Sequence, residues 1–446
     1  NYTMIKKYIY SLAIAALVVA FGSSCSRETK ELFDKTPAQR TDEAKANYKR
    51  VLTDRGGKWE MEFWANGDIS GFVALMTFNA NGAVDIEMYH DLYADYVYGS
   101  IYHDGSEKVR RETSFWDVIG DDGPVVTLQS YNHVFHIFSD PYDLEWTEER
   151  ETGKGFGSDY EFKLMGVSDD ENVLTLRGKK SGRTMYLRRI DTSTDADKFF
   201  ADLNAFKAQI FNAKIPQLYL NSTSGEEYII KNFTAGLCDL YPNPGDEVTQ
   251  TTTRNYIARI NILKFMYPFK GFEDKAKFTV QEFNYIDGAL VCNDSEYEST
   301  ITAGPRSRLL TDDRCVWTID KQSTNGSVAD AIAALDEAFK KGTYKEYSKS
   351  MAFEYDKGEQ SWALVIKVKK VSPKFYCDFV ANGNDGIKVT FTHDDKTGGV
   401  VRNAFPEVTT LCNALSGECK LTSDTRINPV PMTINTADGS RYEVGL

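Results

Sequence analysis

The sequence predicts a mainly β protein with a few capping helices, in which an N-terminal up-and-down β-barrel precedes a second strand-rich domain. Three observations lead there. Tyr (25) and Phe (26) are plentiful while Pro (12) is scarce, a bias that favours strands. Roughly eight to ten alternating segments follow one another within about 130 residues on short turns, the pattern of serial hairpins. Hairpins in that number remove their exposed edges by closing on themselves. The 446 residues suffice for two to three domains, and 41% hydrophobic with 26% charged residues is the balance of a folded chain.

Taken in order, Thr36-Pro37-Ala38-Gln39 is a capping box with Pro at the first helical position. Ala44, Tyr48, Val51 and Leu52 then share a stripe up to Gly56-Gly57. This amphipathic helix is expected to cover an open end of the barrel that the next segments build. Trp59, Met61 and Phe63 alternate with Glu60 and Glu62; Phe72, Ala74, Met76 and Phe78 share a face. Asn79-Ala80-Asn81-Gly82 turns the chain into Val84, Ile86 and Met88. Strands are expected near Arg110 to Val118, Val125 to Ser130, Val134 to Phe138, Tyr160 to Met165, Val173 to Arg177 and Thr184 to Ile190. Residues 36–192 thus form a helix plus barrel.

Residues 193–446 read as the second β-rich domain, with helices near 195–213 and 327–341. The first carries Phe199, Leu203, Phe206 and Ile210 at helical spacing behind Asp195 and reads as a domain-joining element. The other has Ser327 as N-cap, Ile332, Leu335 and Phe339 inward, and Gly342 as its stop. Strands are expected at Leu218–Leu220, Tyr228–Phe233, Tyr256–Leu263, Phe278–Asn284, Val316–Ile319, Trp362–Lys369, Phe375–Val380, Ile387–Thr392 and Val400–Ala404. Phe379 to His393 echoes Phe78 to His90, a hint of a duplicated helix-plus-barrel plan.

The first 24 residues form an address. Lys6 and Lys7 precede the apolar run Ile9 to Phe21, too short to span a bilayer, and Gly22-Ser23-Ser24 lead into Cys25. Together they resemble a bacterial lipoprotein signal, although Gly22 stands where that motif usually has an aliphatic residue. The resemblance implies cleavage before Cys25 and acylation of its thiol and amine, with residues 25–35 as a tether. Buried acyl chains contribute about 0.8 kcal/mol per CH₂, enough for stable anchoring when more than one is present. Losing Lys6 and Lys7 takes the formal charge from −13 to −15, so lipid rather than charge must hold the body at an anionic surface. The same acidity argues against a nucleic-acid partner.

Gly57-Lys58-Trp59 with Arg188-Arg189 resembles the lipocalin-like pattern, in which a Gly-x-Trp strand opening packs against an arginine from the barrel's end. Such a barrel holds one small ligand or is plugged by its own side chains. A further set is Glu31 to Arg40, Asp122-Gly123-Pro124-Val125-Val126-Thr127, Tyr131 to His136, Gly157-Ser158-Asp159-Tyr160-Glu161-Phe162 and Leu176-Arg177-Gly178-Lys179-Lys180. These stretches resemble a family of Bacteroidota surface lipoproteins of unknown function, over about residues 25–270. The resemblance implies an accessory subunit of SusC/SusD-type TonB-dependent nutrient importers, and it supplies no catalytic residues.

His-Glu-x-x-His, Gly-x-Ser-x-Gly and P-loop patterns are absent from the sequence. His133 and His136, on a strand, would point to opposite faces and share no metal. No cofactor and no metal ligand is assigned. Cys238, Cys292, Cys315, Cys377, Cys412 and Cys419 are an even set in an exported chain, so at least one disulfide is expected, with Cys412 and Cys419 near enough to staple a loop. The candidate ligand-binding residues are Tyr89, Tyr93, Tyr96, Tyr98 and Tyr102, whose flat rings and hydroxyl tips suit peptide, glycan or protein contact. Arg177, Lys179, Lys180, Arg183, Arg188 and Arg189 form a basic cluster that reads as the solvated face of a hairpin. The expected function is therefore a non-enzymatic outer-membrane lipoprotein, facing the cell exterior, that binds a peptide or glycan or docks on an importer. The alternative is a surface hydrolase acting on peptides or glycans.

Overall fold

A computed structural model describes residues 35–65, 69–89, 109–139, 156–234, 236–243, 251–272, 278–292 and 297–446. Helix α1 (Pro37–Thr53) starts at the expected capping box: Thr36 Oγ1 accepts from Gln39 N–H at 3.3 Å, and Gln39 Oε1 accepts from Thr36 N–H at 3.0 Å. Eight antiparallel strands follow: β1 (Lys58–Trp64), β2 (Gly71–Phe78), β3 (Ala83–Tyr89), β4 (Val109–Gly120), β5 (Pro124–Leu128), β6 (Glu161–Val167), β7 (Val173–Gly178) and β8 (Thr184–Arg189). They close when Trp59 of β1 pairs with Arg189 of β8. Phe63 meets Phe135 at 4.5 Å and Phe138 at 5.1 Å between ring centres, so aromatic side chains pack the middle of this barrel.

The end capped by α1 brings Gly57, Trp59 and Arg189 together. Val51 and Leu52 are buried in the barrel core, and Trp59 Nε1 donates to Leu52 O at 2.9 Å. The Arg189 guanidinium lies 4.1 Å from the Trp59 ring and donates to Val51 O and Asp54 O. Gly57 opens β1 at φ +62°, where a Cβ would stand 2.3 Å from Phe78 O, so no other residue fits without displacing β2.

One expected strand in this barrel is helical. Val134 to Phe138 falls in and just after a short helix, α2 (His133–His136), because the Asn132 side chain caps Phe135 N–H at 3.1 Å. Helix α3 (Ala196–Ile210) starts on Asp195, whose carboxylate accepts from Lys198 N–H at 2.8 Å. Phe200 and Leu203 enter the first barrel's core, whereas Phe206 and Ile210 enter the next one, so the helix joins domains as expected.

The second half departs from the expectation of a single β-rich domain: it holds two further closed eight-stranded antiparallel barrels. The second comprises β9 (Leu218–Ser222), β10 (Glu227–Thr234), β11 (Leu237–Pro242), β12 (Thr252–Arg259), β13 (Ile262–Phe269), β14 (Val280–Ile286), β15 (Ala289–Cys292) and β16 (Ser299–Thr302). The expected strand Tyr256–Leu263 is a hairpin, turned at Asn261 with φ +60°. After α4 (Arg306–Leu310) come β17 (Val316–Asn325), α5 (Gly326–Lys341), β18 (Ser350–Asp356), β19 (Ser361–Lys367), β20 (Lys374–Ala381) and β21 (Gly386–Asp394). Then α6 (Lys396–Ala404), α7 (Glu407–Ala414), β22 (Gly417–Thr422), β23 (Met432–Thr436) and β24 (Arg441–Gly445) complete the third barrel.

Asn325, not Ser327, stands at the N-cap of α5, and Ser327 Oγ instead donates to Asp438. Gly342 is the stop. The expected strand Val400–Ala404 is helical, because the Asp395 carboxylate caps Gly398 N–H and starts α6. The echoing hairpins are β2–β3 of the first barrel and β20–β21 of the third, the second and fourth turns of their barrels in strand order, so they are not duplicates of one position. All six described cysteines are buried and none is joined in a disulfide, contrary to the expectation. Cys412 faces the Arg402 guanidinium on α6, while the Cys419 thiol donates to Gly417 O within its own strand end.

The first two barrels meet through β1 and β2 on one side and β12 and β13 on the other. Gly71 lies so close to β12 that a Cβ would stand 2.7 Å from Ile257 Cβ. Glu60 pairs with Arg259, and Glu62, fully buried, accepts from Lys264 at 2.7 Å and Arg188 at 3.0 Å. The second and third barrels share one continuous apolar core.

Candidate functional site

The outer wall of the first barrel presents the richest binding chemistry among the described residues. Gln129 N–H donates to Phe115 O at 2.8 Å and Leu128 N–H to Tyr160 O at 3.4 Å, which brings Phe115, Tyr131 and Tyr160 to neighbouring places across β4, β5 and β6. They are 60%, 44% and 44% exposed, while the core residues beside them are buried. The His136 ring stands between two of them, 5.1 Å from the centre of Tyr131 and 5.1 Å from that of Tyr160. Its Nδ1 accepts from Asn132 N–H at 3.0 Å. His133 meets Tyr131 as well, edge-on at 4.9 Å between ring centres, with its Nδ1 3.0 Å from Glu112 Oε1. The expectation that the two would point to opposite faces of a strand fails: they sit on one helical turn, and both rings meet Tyr131.

Below Tyr160 the chain folds back on the β7–β8 turn. Asp159, 3% exposed, accepts through Oδ1 from Lys180 N–H at 2.6 Å and Ser181 N–H at 3.0 Å. Lys179 N–H donates to Glu161 O at 3.0 Å. Gly178 lies under the carboxylate; a Cβ there would come 2.2 Å from Asp159 Oδ2. Two adjoining clefts open at this junction. One, of about 270 Å³, is lined by Ser158, Asp159, Tyr160, Glu161, Lys179 and Lys180. The other, of about 610 Å³, continues past Lys179 and Lys180 to Arg177, Lys163 and Met165. Asp121 and Glu161 both bond the Lys179 ammonium and push its pKa well above the usual lysine value. Lys163 pairs with Asp122 at 2.8 Å.

The basic cluster is thus divided. Arg177, Lys179 and Lys180 are exposed around the clefts, whereas Arg188 and Arg189 are structural, bound to Glu62 and to the α1 end of the barrel. Of the candidate tyrosines, Tyr89 ends β3 half-buried, with its ring 6.5 Å from Phe200. Tyr93, Tyr96, Tyr98, Tyr102 and Cys25 lie outside the described residues. Sequence reasoning missed Phe115, Tyr131 and Tyr160 as a group because they come from three separate places, β4, the segment after β5 and the residue before β6. The signal that pointed nearby was the pair of stretches Gly157 to Phe162 and Leu176 to Lys180, which the fold brings into contact through Asp159.

The profile of a domain of unknown function (DUF4302) matches residues 29–286, more than half of the chain. The chain belongs to the DUF4302 family. The match takes in the whole first barrel and ends with β14 of the second. No curated protein matches this DUF4302 protein. Among solved structures, the beta subunit from DNA polymerase of Streptococcus pyogenes aligns over 90% of this chain and 98% of its own, at 11% identity and a TM-score of 0.13. A likeness at that level assigns neither fold nor function. No group of three or more His, Cys, Asp or Glu able to hold a metal occurs among the described residues, and no described helix is long and apolar enough to cross a membrane.

Proposed function

We propose that this DUF4302 protein is a non-enzymatic binding and docking subunit, anchored to the outer membrane through lipid on Cys25, facing the cell exterior and working beside a SusC/SusD-type importer. The observation that carries the reading is where its chemistry lies. The first barrel's core is occupied by Trp59, Phe63, Phe135 and Phe138, while exposed rings and charged side chains cluster on its outer wall beside two clefts. A wall of that kind captures a ligand or a partner without a closed reaction chamber. The lipoprotein-like leader and Cys25 support the membrane anchor, and the stretches resembling importer-associated lipoproteins support the partner.

Detergent extraction of native membranes followed by affinity purification tests the reading. It predicts acyl mass on Cys25, accessibility to protease on intact cells, and recovery with TonB-dependent barrel proteins. A protein found free of lipid and recovered alone at low salt would overturn it.

A further inference from the structure

We propose that the lysine-rich end of the third barrel is a contact face for a membrane surface carrying anionic phosphate headgroups. The inference takes from the reading above only that a membrane lies within reach, and it adds to the lipid anchor a second, electrostatic contact. The face is built from the last turn of α5, the stretch that follows it and the turn between β19 and β20. Lys340, Lys341, Lys345, Lys349, Lys369 and Lys370 are all exposed there. Contacts to the backbone hold them side by side. The Lys345 ammonium donates to Lys341 O at 3.1 Å and that of Lys349 to Lys369 O at 3.3 Å, while Lys349 N–H donates to Lys367 O at 2.7 Å. Lys340 lies 5.4 Å from the centre of the Tyr347 ring, which is 50% exposed in their midst.

The neighbouring carboxylates do not neutralise this end. Asp336 is taken up by Lys321, Glu337 by Tyr347 and by Lys341 at 3.4 Å, and Glu346 Oε1 is buried. Lys340, Lys345, Lys349, Lys369 and Lys370 form no ion pair among the described residues. In a chain of formal charge −13, an end of unpaired cations inverts the local field. Residues 340–370 contain no arginine. Arginine's planar fork grips one carboxylate or phosphate through paired bonds, whereas lysine is a hydrated point charge on a flexible stem, suited to an array of phosphates whose positions shift. Tyr347 adds a ring with a hydroxyl tip, the kind of side chain that settles at the level of lipid headgroups. Complementing the α5 dipole accounts for Lys340 and Lys341, but not for Lys349, Lys369 and Lys370, which lie off the helix.

Flotation with phospholipid vesicles tests this on the chain from Ser26 onward, which keeps all three barrels and lacks Cys25. Neutral phosphatidylcholine vesicles are compared with vesicles holding about 30% phosphatidylglycerol, which gives them a negative surface potential. The expected result is binding to the anionic vesicles alone, lost in about 0.5 M salt, where screening is complete within a few ångströms. Lys340→Gln, Lys349→Gln and Lys369→Gln combined should weaken binding about a hundredfold, at about fivefold for each lysine near an anionic surface. The melting temperature should not move, since none of the three has an ion pair to lose. The same change of charge at the opposite end of the barrel, Lys357→Gln, Lys388→Gln and Lys420→Gln combined, should leave binding within about twofold. No binding to anionic vesicles at low salt, equal losses in the two combined variants, or tighter binding to polygalacturonate than to vesicles at equal charge would each overturn the assignment. Acylated native protein whose Ser26 chain ignores anionic vesicles would sink this face and leave the anchor intact. A Ser26 chain that floats, although native Cys25 bears no lipid, would uphold the face and sink the anchor.

Discussion

Arg189 illustrates how a single side chain holds two elements together. Its guanidinium covers the Trp59 ring and donates to Val51 O at 2.9 Å, Asp54 O at 2.6 Å and Glu171 O at 3.1 Å, so it fastens α1 and the β6–β7 turn to the barrel end. Charge-assisted bonds to carbonyls and a cation–π contact together lead us to expect that Arg189→Ala costs about 2–3 kcal/mol in a urea melt. Arg189→Lys should recover less than half, since an ammonium lacks the planar fork that reaches three carbonyls. Gly178 makes the opposite point, that space is also a constraint. Gly178→Ala would drive a methyl into the Asp159 carboxylate, and a loss of about 1–3 kcal/mol is expected. In the third barrel, Lys374 at 2.6 Å, with help from Tyr376, holds the Asp356 carboxyl down to about 2. A depressed carboxyl stabilises the fold above its unfolded pKa of about 4 and loses that contribution as pH falls toward 2. Acid titration of the wild type against Asp356→Asn should therefore show a gap that is constant near neutrality and closes below pH ~4. A gap that widens in acid would contradict the Lys374 bond.

Strand β1 shows what was legible in the sequence and what was not. Trp59, Met61 and Phe63 alternate and do face the core, and the capping box, the Gly-x-Trp opening and the joining helix all depend on neighbours within a few residues. The same alternation marks Glu60 and Glu62 as a water-facing edge, yet they are 8% and 0% exposed. Their partners, Arg259 and Lys264, lie some two hundred residues away on a barrel that packs against this face, and no local pattern announces them. Val134 to Phe138 misled for the opposite reason: a short apolar run has no period of its own, and one Asn132 cap decided for helix. The buried pair yields a sharp test. Glu62→Ala strands Lys264 between barrels and should cost about 3–5 kcal/mol, whereas Glu62→Leu with Lys264→Leu should cost far less, because a matched apolar pair replaces both charges. Equal losses in the single and double variants would show that Arg188, not Lys264, is the partner that counts.

At the scale of the whole molecule, three closed barrels are joined by two kinds of seam. The first seam combines ion pairs with apolar contact, Ile257 of β12 and Met266 of β13 joining the first barrel's core cluster, which stays distinct from the core of the other two barrels. The second is continuous hydrophobic packing between the second and third barrels, reinforced where Arg426 and Ile427 N–H groups both donate to Gly288 O at 2.7 and 2.8 Å. Heating or denaturant should therefore separate the first barrel from the other two, which should melt together; hydrogen exchange resolved by peptide would follow both events. The family match ends at Ile286, but the fold does not. The second barrel closes only when β16 pairs with β9, through Ser299 with Ser222 and Thr302 with Tyr219. A chain ending at Ile286 loses β15 and β16, leaves the edges of β9 and β14 open and strips the third barrel from the shared core. Such a chain should aggregate or unfold without a cooperative transition, and residues 35–446 should not. A monomeric, sharply melting 29–286 fragment would show instead that the first barrel and an incomplete second one form a self-sufficient unit, and the shared core would then be an accessory to folding rather than its condition.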